Sequence, residues 1–328
     1  MNSLQPLVSI VIITFNRKTD LLRCLTSLQK LTYRHTETIV VDNHSSDGTV
    51  EAVKRQYPQA TWILNPGNLG TARARNRGIA RAQGELIWFL DSDTELLEPD
   101  ILSRMVAYLM DRKDIGSLGG QMVNEPDGLK YWIMDAKVDR KIPAPVPDVL
   151  EQDVSYLATC NCLTRKSLLT AIGGFDPFYF YYCEDQDYGF QLSARGLKNV
   201  FRSDCCVLHH FSQNQRAGDY YLCYRNLMRC LLINQSFSVF FSFPITQAVN
   251  LYRNYRVFHQ QGYDAANIKT VKDAEKEKYS GRLGVLRLIR TIIGALIRAW
   301  FYNLFHISDV WRCRTRRPNY LRNETDRS

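Results

Sequence analysis

An α/β fold built on a mostly parallel sheet, with helices on both faces, is what this sequence predicts. Three observations carry that expectation. Over the first 120 residues, apolar runs of strand length alternate with segments of helical period. One of those runs, Leu86-Ile87-Trp88-Phe89-Leu90, stops abruptly at two carboxylates one residue apart, Asp91 and Asp93. Polar residues also fall just past other strands: Asn16, Asp42, Asn65 and Asn68. In sheets of this kind ligands sit beyond the carboxyl ends of the strands, so these groups are expected along one rim.

In chain order, Val8 to Phe15 reads as a buried strand, and Asp20 is placed to cap a helix with Leu21, Leu22, Leu25 and Leu28 on one face. Thr38 to Val41 is a second strand, ending at Asp42. Ser46 or Asp47 caps a helix through about Gln56, which Pro58 closes. A third strand, Ala60 to Leu64, precedes a helix reaching about Gln83, with Gly84 at its C-terminal end. Pro99 suits the first turn of the next helix. Ile115 to Val123 is a strand, and Asn124 to Asp153, with Pro143, Pro145 and Pro147, is a long surface loop. Val154 to Thr164 is strand-like, Lys166 to Ile172 a short helix, and Gly173 to Pro177 a turn. A helix from Glu184 to Gly196 and a strand from Val200 to Leu208, ending at His209-His210, complete this part.

Beyond about Asp219 the chain is helical in character, and Lys272 to Lys278 is a charged, solvated segment. Arg282 to Phe305 is too apolar for an ordinary surface helix, yet three internal arginines oppose a spanning one. At about 100° per residue, Arg287, Arg290, Thr291, Gly294 and Arg298 share one narrow stripe. That pattern suits a helix lying in a membrane interface with its basic side toward headgroups; the competing reading is a docked helix with arginines outward.

The 328 residues suffice for a large core, and 45% hydrophobic content excludes wholesale disorder. The net charge of +9 points to an anionic partner. No nucleic-acid motif is present, so nucleic acid is not expected as that partner. Nine cysteines without CxxC spacing read as buried thiols in a reducing, cytoplasmic setting, and the first apolar run is a strand and not a signal peptide.

Buried carboxylates are costly unless paired or bound to a cation, and oxygens spaced as in Asp91-Ser92-Asp93 suit a hard divalent ion that also touches phosphate. The segments Val-Ser-Ile-Val-Ile-Ile-Thr-Phe-Asn-Arg (8–17), Ile-Val-Val-Asp-Asn-His-Ser-Ser-Asp-Gly-Thr (39–49) and Asn-Pro-Gly-Asn-Leu-Gly-Thr-Ala-Arg-Ala-Arg-Asn-Arg-Gly (65–78) accompany it. So do Leu-Asp-Ser-Asp (90–93), Gly-Gly-Phe-Asp (173–176) and Glu-Asp-Gln-Asp (184–187). In order and spacing the set resembles family 2 glycosyltransferases of the GT-A, Rossmann-like fold. The resemblance implies a catalytic domain over residues 1–225 and leaves 226–328 as a helical extension.

It also implies a metal-dependent hexosyl- or deoxyhexosyltransferase that takes a sugar from a nucleotide diphosphate sugar, with Mn²⁺ or Mg²⁺ on the diphosphate. Carried onto this chain, Thr14, Asn16, Asp42, Arg75 and Asp91 would line the nucleotide site. Asp93 would ligate the metal, with His209 or His210 completing its shell. Asp185 would be the base that activates an acceptor hydroxyl, and direct attack would invert the anomeric centre. Asp42 has a competing reading as a helix-cap or Asx-turn residue, Arg75 as an outward helix charge, and Glu184 to Asp187 as an acidic first turn favoured by the helix dipole. If the C-terminal helix meets a membrane, the acceptor would be a lipid-linked saccharide at the cytoplasmic face, as in surface polysaccharide assembly. A sugar-1-phosphate nucleotidyltransferase is the alternative enzyme, but Thr14-Phe15-Asn16-Arg17-Lys18 lacks the glycines of its phosphate loop. A non-catalytic membrane-associated binding protein would not need Asp93 and Asp185.

Overall fold

A computed structural model describes residues 5–120, 122–123, 130–133, 140–143, 151–210, 220–260 and 281–325. These residues cluster into two compact units. The first draws on Met1–Phe180, Glu184–His210 and Asn319–Ser328, and the second on Tyr181–Cys183 and Phe211–Pro318.

In the first unit β1 (Val8–Thr14), α1 (Lys18–Leu28), β2 (Thr36–Asp42), α2 (Thr49–Gln56), β3 (Thr61–Leu64), α3 (Gly70–Arg81) and β4 (Leu86–Asp91) alternate as expected. After β5 (Thr94–Leu96), α4 (Ile101–Asp111), β6 (Ile115–Gly119) and β7 (Met122–Val123) come β8 (Lys130–Ile133), β9 (Arg140–Pro143) and β10 (Glu151–Val154). β11 (Asn161–Arg165), α5 (Lys166–Ile172), α6 (Glu184–Ser193), β12 (Lys198–Arg202) and β13 (Val207–His209) follow. The main sheet has the order β10-β12-β6-β11-β4-β1-β2-β3. Its β4-β1-β2-β3 half is parallel, and β11 runs antiparallel to both β4 and β6.

Burial on both faces explains why β1 and β4 read as unbroken apolar runs. Along β4, Leu86, Trp88 and Leu90 pack on one face with Leu21 and Leu25 of α1 and Met105 of α4. Ile87 and Phe89 pack on the other with Ala72 and Ile79 of α3 and Leu169 of α5. Trp88 and Phe89 are fully buried, and burial stabilises by about 1.5–3 kcal/mol for each such large side chain. The register sets Thr14 opposite Asp42 and Ile13 opposite Asp91, so the strand ends that carry the polar residues finish side by side.

Several boundaries differ from expectation for local reasons. Ile115 to Val123 is two strands in two sheets, parted at Gly120, where a Cβ would lie 1.8 Å from the Cys205 carbonyl oxygen. Val154 to Thr164 and Val200 to Leu208 are likewise each divided between strands. Asp20 does not cap α1; its carboxylate pairs with Arg17 and Arg23 inside the first turn. Asp47, not Ser46, accepts the Thr49 N–H at the start of α2 (3.0 Å). Gly84 does not cap α3, which ends three residues earlier at Arg81; a Cβ there would meet the Leu7 carbonyl oxygen at 2.6 Å. The Asn124–Asp153 stretch is not all loop. Its described residues form β8 and β9, which extend a second sheet of order β5-β13-β7-β8-β9, and β10.

The second unit is helical: α7 (Tyr220–Asn234), α8 (Val239–Gln260), α9 (Gly281–Phe305) and α10 (Ile307–Thr315). Lys272 to Lys278 lies outside the described residues. Among the described residues, Leu286–Phe305 is long and apolar enough to cross a membrane. Part of its circumference is occupied, however. Leu288, Ile292, Ala295, Ala299 and Asn303 are buried along one face, and Asn303 donates to the Arg225 carbonyl (3.0 Å). Arg287, Arg290, Thr291, Gly294 and Arg298 are all exposed, as their shared stripe implied. The last helix, α11 (Arg322–Thr325), belongs to the first unit, where Glu324 pairs with Arg73 of α3 (3.3 Å).

Candidate active site

The carboxyl ends of β1, β2 and β4 and the start of α6 supply the polar side chains of the first unit's rim. Asn16 has a left-handed backbone (φ +52°), which turns the chain sharply after β1. Its carboxamide oxygen accepts the Ser46 N–H and its own N–H donates to Ser45 Oγ, both at 2.8 Å. Ser45 in turn donates to Asp42 through its hydroxyl (2.5 Å) and its N–H (2.9 Å). Asp42 thus accepts from the backbone three residues on, one residue beyond an Asx turn, and the same loop knits Asp42 to Asn16. Thr14 Oγ1 beside them is buried without a hydrogen-bond partner, an arrangement that usually marks a group awaiting a ligand or water.

Arg75 is buried, not outward. Its Nη2 donates to Asp91 Oδ1 (3.0 Å) and its Nη1 to Glu184 Oε1 (2.7 Å). Burial opposes the guanidinium's charge, but Asp91, Glu184 and Asp185 outweigh that and hold it firmly protonated. Thr71 Oγ1 adds a second hydrogen bond to Glu184 (2.6 Å), while Glu184 Oε2 is buried without a partner. One side chain on α3 thus ties the end of β4 to the start of α6, segments about a hundred residues apart.

Asp185 follows two consecutive left-handed residues, Tyr182 (φ +68°) and Cys183 (φ +74°). Non-glycine residues in that region carry strain and cluster at functional sites. Burial first, and then the neighbouring Glu184 carboxylate, push Asp185 up to about 7, against a hydrogen bond from the Gln186 N–H (2.8 Å) and the charge of Arg75. Glu184 to Asp187 do form an acidic first turn, yet the raised Asp185 is what a group poised to take a proton near neutral pH requires.

Asp91, Asp93 and His209 each offer a ligand atom, and these atoms lie within 4.8 Å of one another. His209 Nε2 is 3.3 Å from Asp93 Oδ1. His210 instead pairs with Glu95 (2.9 Å), so the geometry selects His209 over His210. Burial raises Asp93 above its ordinary range, with Asp91 adding to the shift and His209 and Arg17 opposing it. Two carboxylates and an imidazole fit a divalent cation of the Mn²⁺ or Mg²⁺ type, the nitrogen donor suiting Mn²⁺ better. The nearby thiols do not compete: burial pushes Cys24 and Cys162 up to about 12.

Sequence reasoning had named Asp91, Asp185 and Arg75, which the structure groups at one rim, but not Arg17, Ser45 or Thr71, which hold the acidic side chains in place. Ser45 and Thr71 gave no signal beyond being small polar residues. Arg17 could have been singled out, since it follows Asn16 directly at the end of β1. Its guanidinium, largely buried, contacts Asp93 (3.2 Å) as well as Asp20 (2.6 Å).

The profile of "Glycosyl transferase family 2" matches residues 9–173, from β1 through α5. The chain belongs to glycosyltransferase family 2. Among its relatives, the N-acetylglucosaminyl-diphospho-decaprenol L-rhamnosyltransferase of Mycobacterium tuberculosis is 28% identical over 238 residues, 61% of this chain and 75% of that protein. A Bacillus subtilis protein named as a teichuronic acid biosynthesis glycosyltransferase, TuaG, is 31% identical over 168 residues, 50% of this chain and 63% of that one. A mannosyltransferase from Pyrobaculum calidifontis, solved with GDP-Man and Mn²⁺, aligns at TM-score 0.57 and 18% identity over 92% of this chain and 88% of its own, which establishes the shared GT-A fold. As a family 2 glycosyltransferase the chain is an enzyme of sugar transfer. Nothing in these matches favours nucleotidyl transfer or a non-catalytic role.

Proposed function

We propose that this glycosyltransferase moves a sugar from a nucleoside diphosphate sugar to a saccharide hydroxyl with inversion, and that its acceptor is a lipid-linked saccharide used in surface polysaccharide assembly at the cytoplasmic face of the membrane. The observation that carries the reading is the Asp91–Arg75–Glu184 bridge. It brings the candidate cation ligands and the candidate base to one rim of one sheet, as a direct displacement needs.

In this reading Thr14, Asn16 and Asp42 receive the nucleoside at the ends of β1 and β2. Asp91, Asp93 and His209 would hold Mn²⁺ or Mg²⁺, which supplies Lewis-acid stabilisation of the leaving diphosphate. Asp185 accepts the proton of the attacking hydroxyl. Arg75, both of whose outer nitrogens are given to carboxylates, is a positioning residue and not a nucleotide contact. A single base acting opposite a leaving group that needs no proton gives one displacement, hence inversion. The acceptor class is suggested by the decaprenol-linked substrate in the mycobacterial relative's name.

Release of nucleoside diphosphate, measured over a panel of nucleotide sugars with Mn²⁺ and a prenyl-diphosphate saccharide, tests the reaction; release of pyrophosphate instead would overturn it. Asp93→Ala is expected to abolish the metal-dependent part of donor binding, read as lost thermal stabilisation by donor plus Mn²⁺. Undiminished stabilisation would remove Asp93 from the site.

Membrane contact is the second element of the proposal. Beside the exposed arginines, α9 turns Leu286, Ile293, Ile297 and Phe301 to solvent, and α8 exposes Phe241 and Ile245. Phe241, Ile297 and Phe301 share an apolar groove with Trp300. Apolar side chains flanked by arginine suit an anionic lipid surface, where chains enter the acyl boundary and guanidinium groups meet headgroups. The buried face of α9 makes truncation a poor test, since removal would strip packing as well. Ile245→Asp with Ile297→Asp, both at exposed positions, is expected to abolish sedimentation with phosphatidylglycerol liposomes while leaving the melting temperature unchanged. Unchanged sedimentation would sink the membrane element and leave the reaction standing.

A further inference from the structure

Arg17 occupies a place that the cation site alone does not explain. Asp93 is the most deeply buried carboxylate of the candidate metal cluster, and both its oxygens are engaged: Oδ1 faces His209 Nε2 at 3.3 Å, and Oδ2 faces Arg17 Nη2 at 3.2 Å. A fixed positive charge therefore rests against the same carboxylate that would hold a divalent ion. Asp20, on the first turn of α1, anchors the other end of the guanidinium through Nη1 (2.6 Å). The left-handed turn at Asn16 aims the side chain there, and only 9% of Arg17 is exposed.

Two like charges at such separation repel appreciably in a half-buried site. With the protein alone, Arg17 already neutralises Asp93, and a divalent ion must either displace it or accept its repulsion. A nucleoside diphosphate reverses the balance. It brings about two to three negative charges, and a guanidinium's planar fork of donors suits phosphate oxygens. The pair would then exchange partners, Asp93 turning to the cation and Arg17 to the diphosphate.

We propose that Arg17 is a diphosphate-binding residue that couples cation binding to donor binding, holding Asp93 until both arrive together. This rests on the reading of Asp91, Asp93 and His209 as a cation site. It has a signature that a merely structural arginine lacks, because removing the charge moves two equilibria in opposite directions. Binding linkage is reciprocal, so the coupling is measurable from either ligand.

The experiment uses the full chain with Mn²⁺ and, in turn, UDP, GDP and dTDP. Free Mn²⁺ is followed by electron paramagnetic resonance without nucleotide, and nucleotide affinity by calorimetry with saturating Mn²⁺ or with EDTA. In Arg17→Gln, Mn²⁺ alone is expected to bind about tenfold tighter, while the nucleoside diphosphate in Mn²⁺ is expected to bind at least about tenfold weaker, the scale of one charge contact. Arg17→Lys, which retains the charge, should keep Mn²⁺ alone weak and restore part of the nucleotide affinity. Losses of equal size in both measurements, or no change in either, would overturn the proposal. A wild-type protein in which Mn²⁺ fails to strengthen binding of any of the three nucleotides would instead overturn the cation site itself.

Discussion

Asp185→Asn is expected to lower sugar transfer by about 10²–10⁴-fold, the contribution typical of a positioned general base, while donor and Mn²⁺ binding are preserved. The amide keeps the shape and the hydrogen bond at the start of α6 but cannot take the acceptor's proton. The pH dependence should point the same way. A base must be ionised to act, and Asp185 is raised to about 7, so kcat/KM should fall roughly tenfold per unit of pH below that value. Stability carries the opposite sign. Between the ordinary aspartate value of 3.8 and about 7 the folded chain holds a proton that the unfolded chain releases, so this group's contribution to stability declines as pH rises through that window. Asp185→Asn should therefore flatten that part of the stability profile and leave the protein more stable above pH 7. Retained activity with an unaltered acid limb would remove Asp185 from the chemistry.

Arg75→Met is expected to be the most destabilising single substitution in the rim, by about 3–5 kcal/mol, the range for breaking a buried ion pair by deleting one partner. The guanidinium links Asp91 and Glu184, and Glu184 already has one oxygen without a partner. Without Arg75 that carboxylate would be buried beside Asp185 with only the hydrogen bonds from Thr71 and the Gln186 N–H to offset the two charges. Lysine is not an adequate substitute, because one ammonium group cannot replace the guanidinium's fork between two carboxylates. Urea denaturation measures the loss, and a double-mutant cycle with Glu184→Gln should recover part of it, since the companion change removes the stranded charge. A cost below about 1 kcal/mol would mean that the bridge is not what holds α6 against β4.

How much of this was visible in the chain depends on the range of the interaction involved. The strands β1 and β4 were legible because each is apolar on both faces and closes on a polar residue, and β2 and β3 because the short apolar runs Ile39–Val41 and Trp62–Leu64 lead into Asp42 and Asn65, patterns local to about ten residues. Asp91, Asp93 and Asp42 were legible as carboxylates that close apolar strands at the rim where ligands sit, whereas Asp185 was brought forward only by the family resemblance of Glu-Asp-Gln-Asp (184–187). The division of residues 115–123 and 200–208 was not legible. A strand that leaves one sheet for another does so where the neighbouring backbone comes too close, as Cys205 does to Gly120, and that neighbour lies far away in sequence. The same holds for Gly84, whose missing side chain makes room for β1 and does not end a helix.

Residue type and order alone carried the class of fold, through periodicity, and the family, through the resemblance of its ordered motifs, and they brought forward the acidic groups of the candidate site. Partnership was settled only in three dimensions: the imidazole of His209 and not that of His210 beside the Asp93 carboxylate, Arg75 between two carboxylates, Arg17 against the candidate cation ligand. An ion pair is chosen by distance and by exclusion of water, and neither quantity exists until strands separated by scores of residues have come to lie edge to edge.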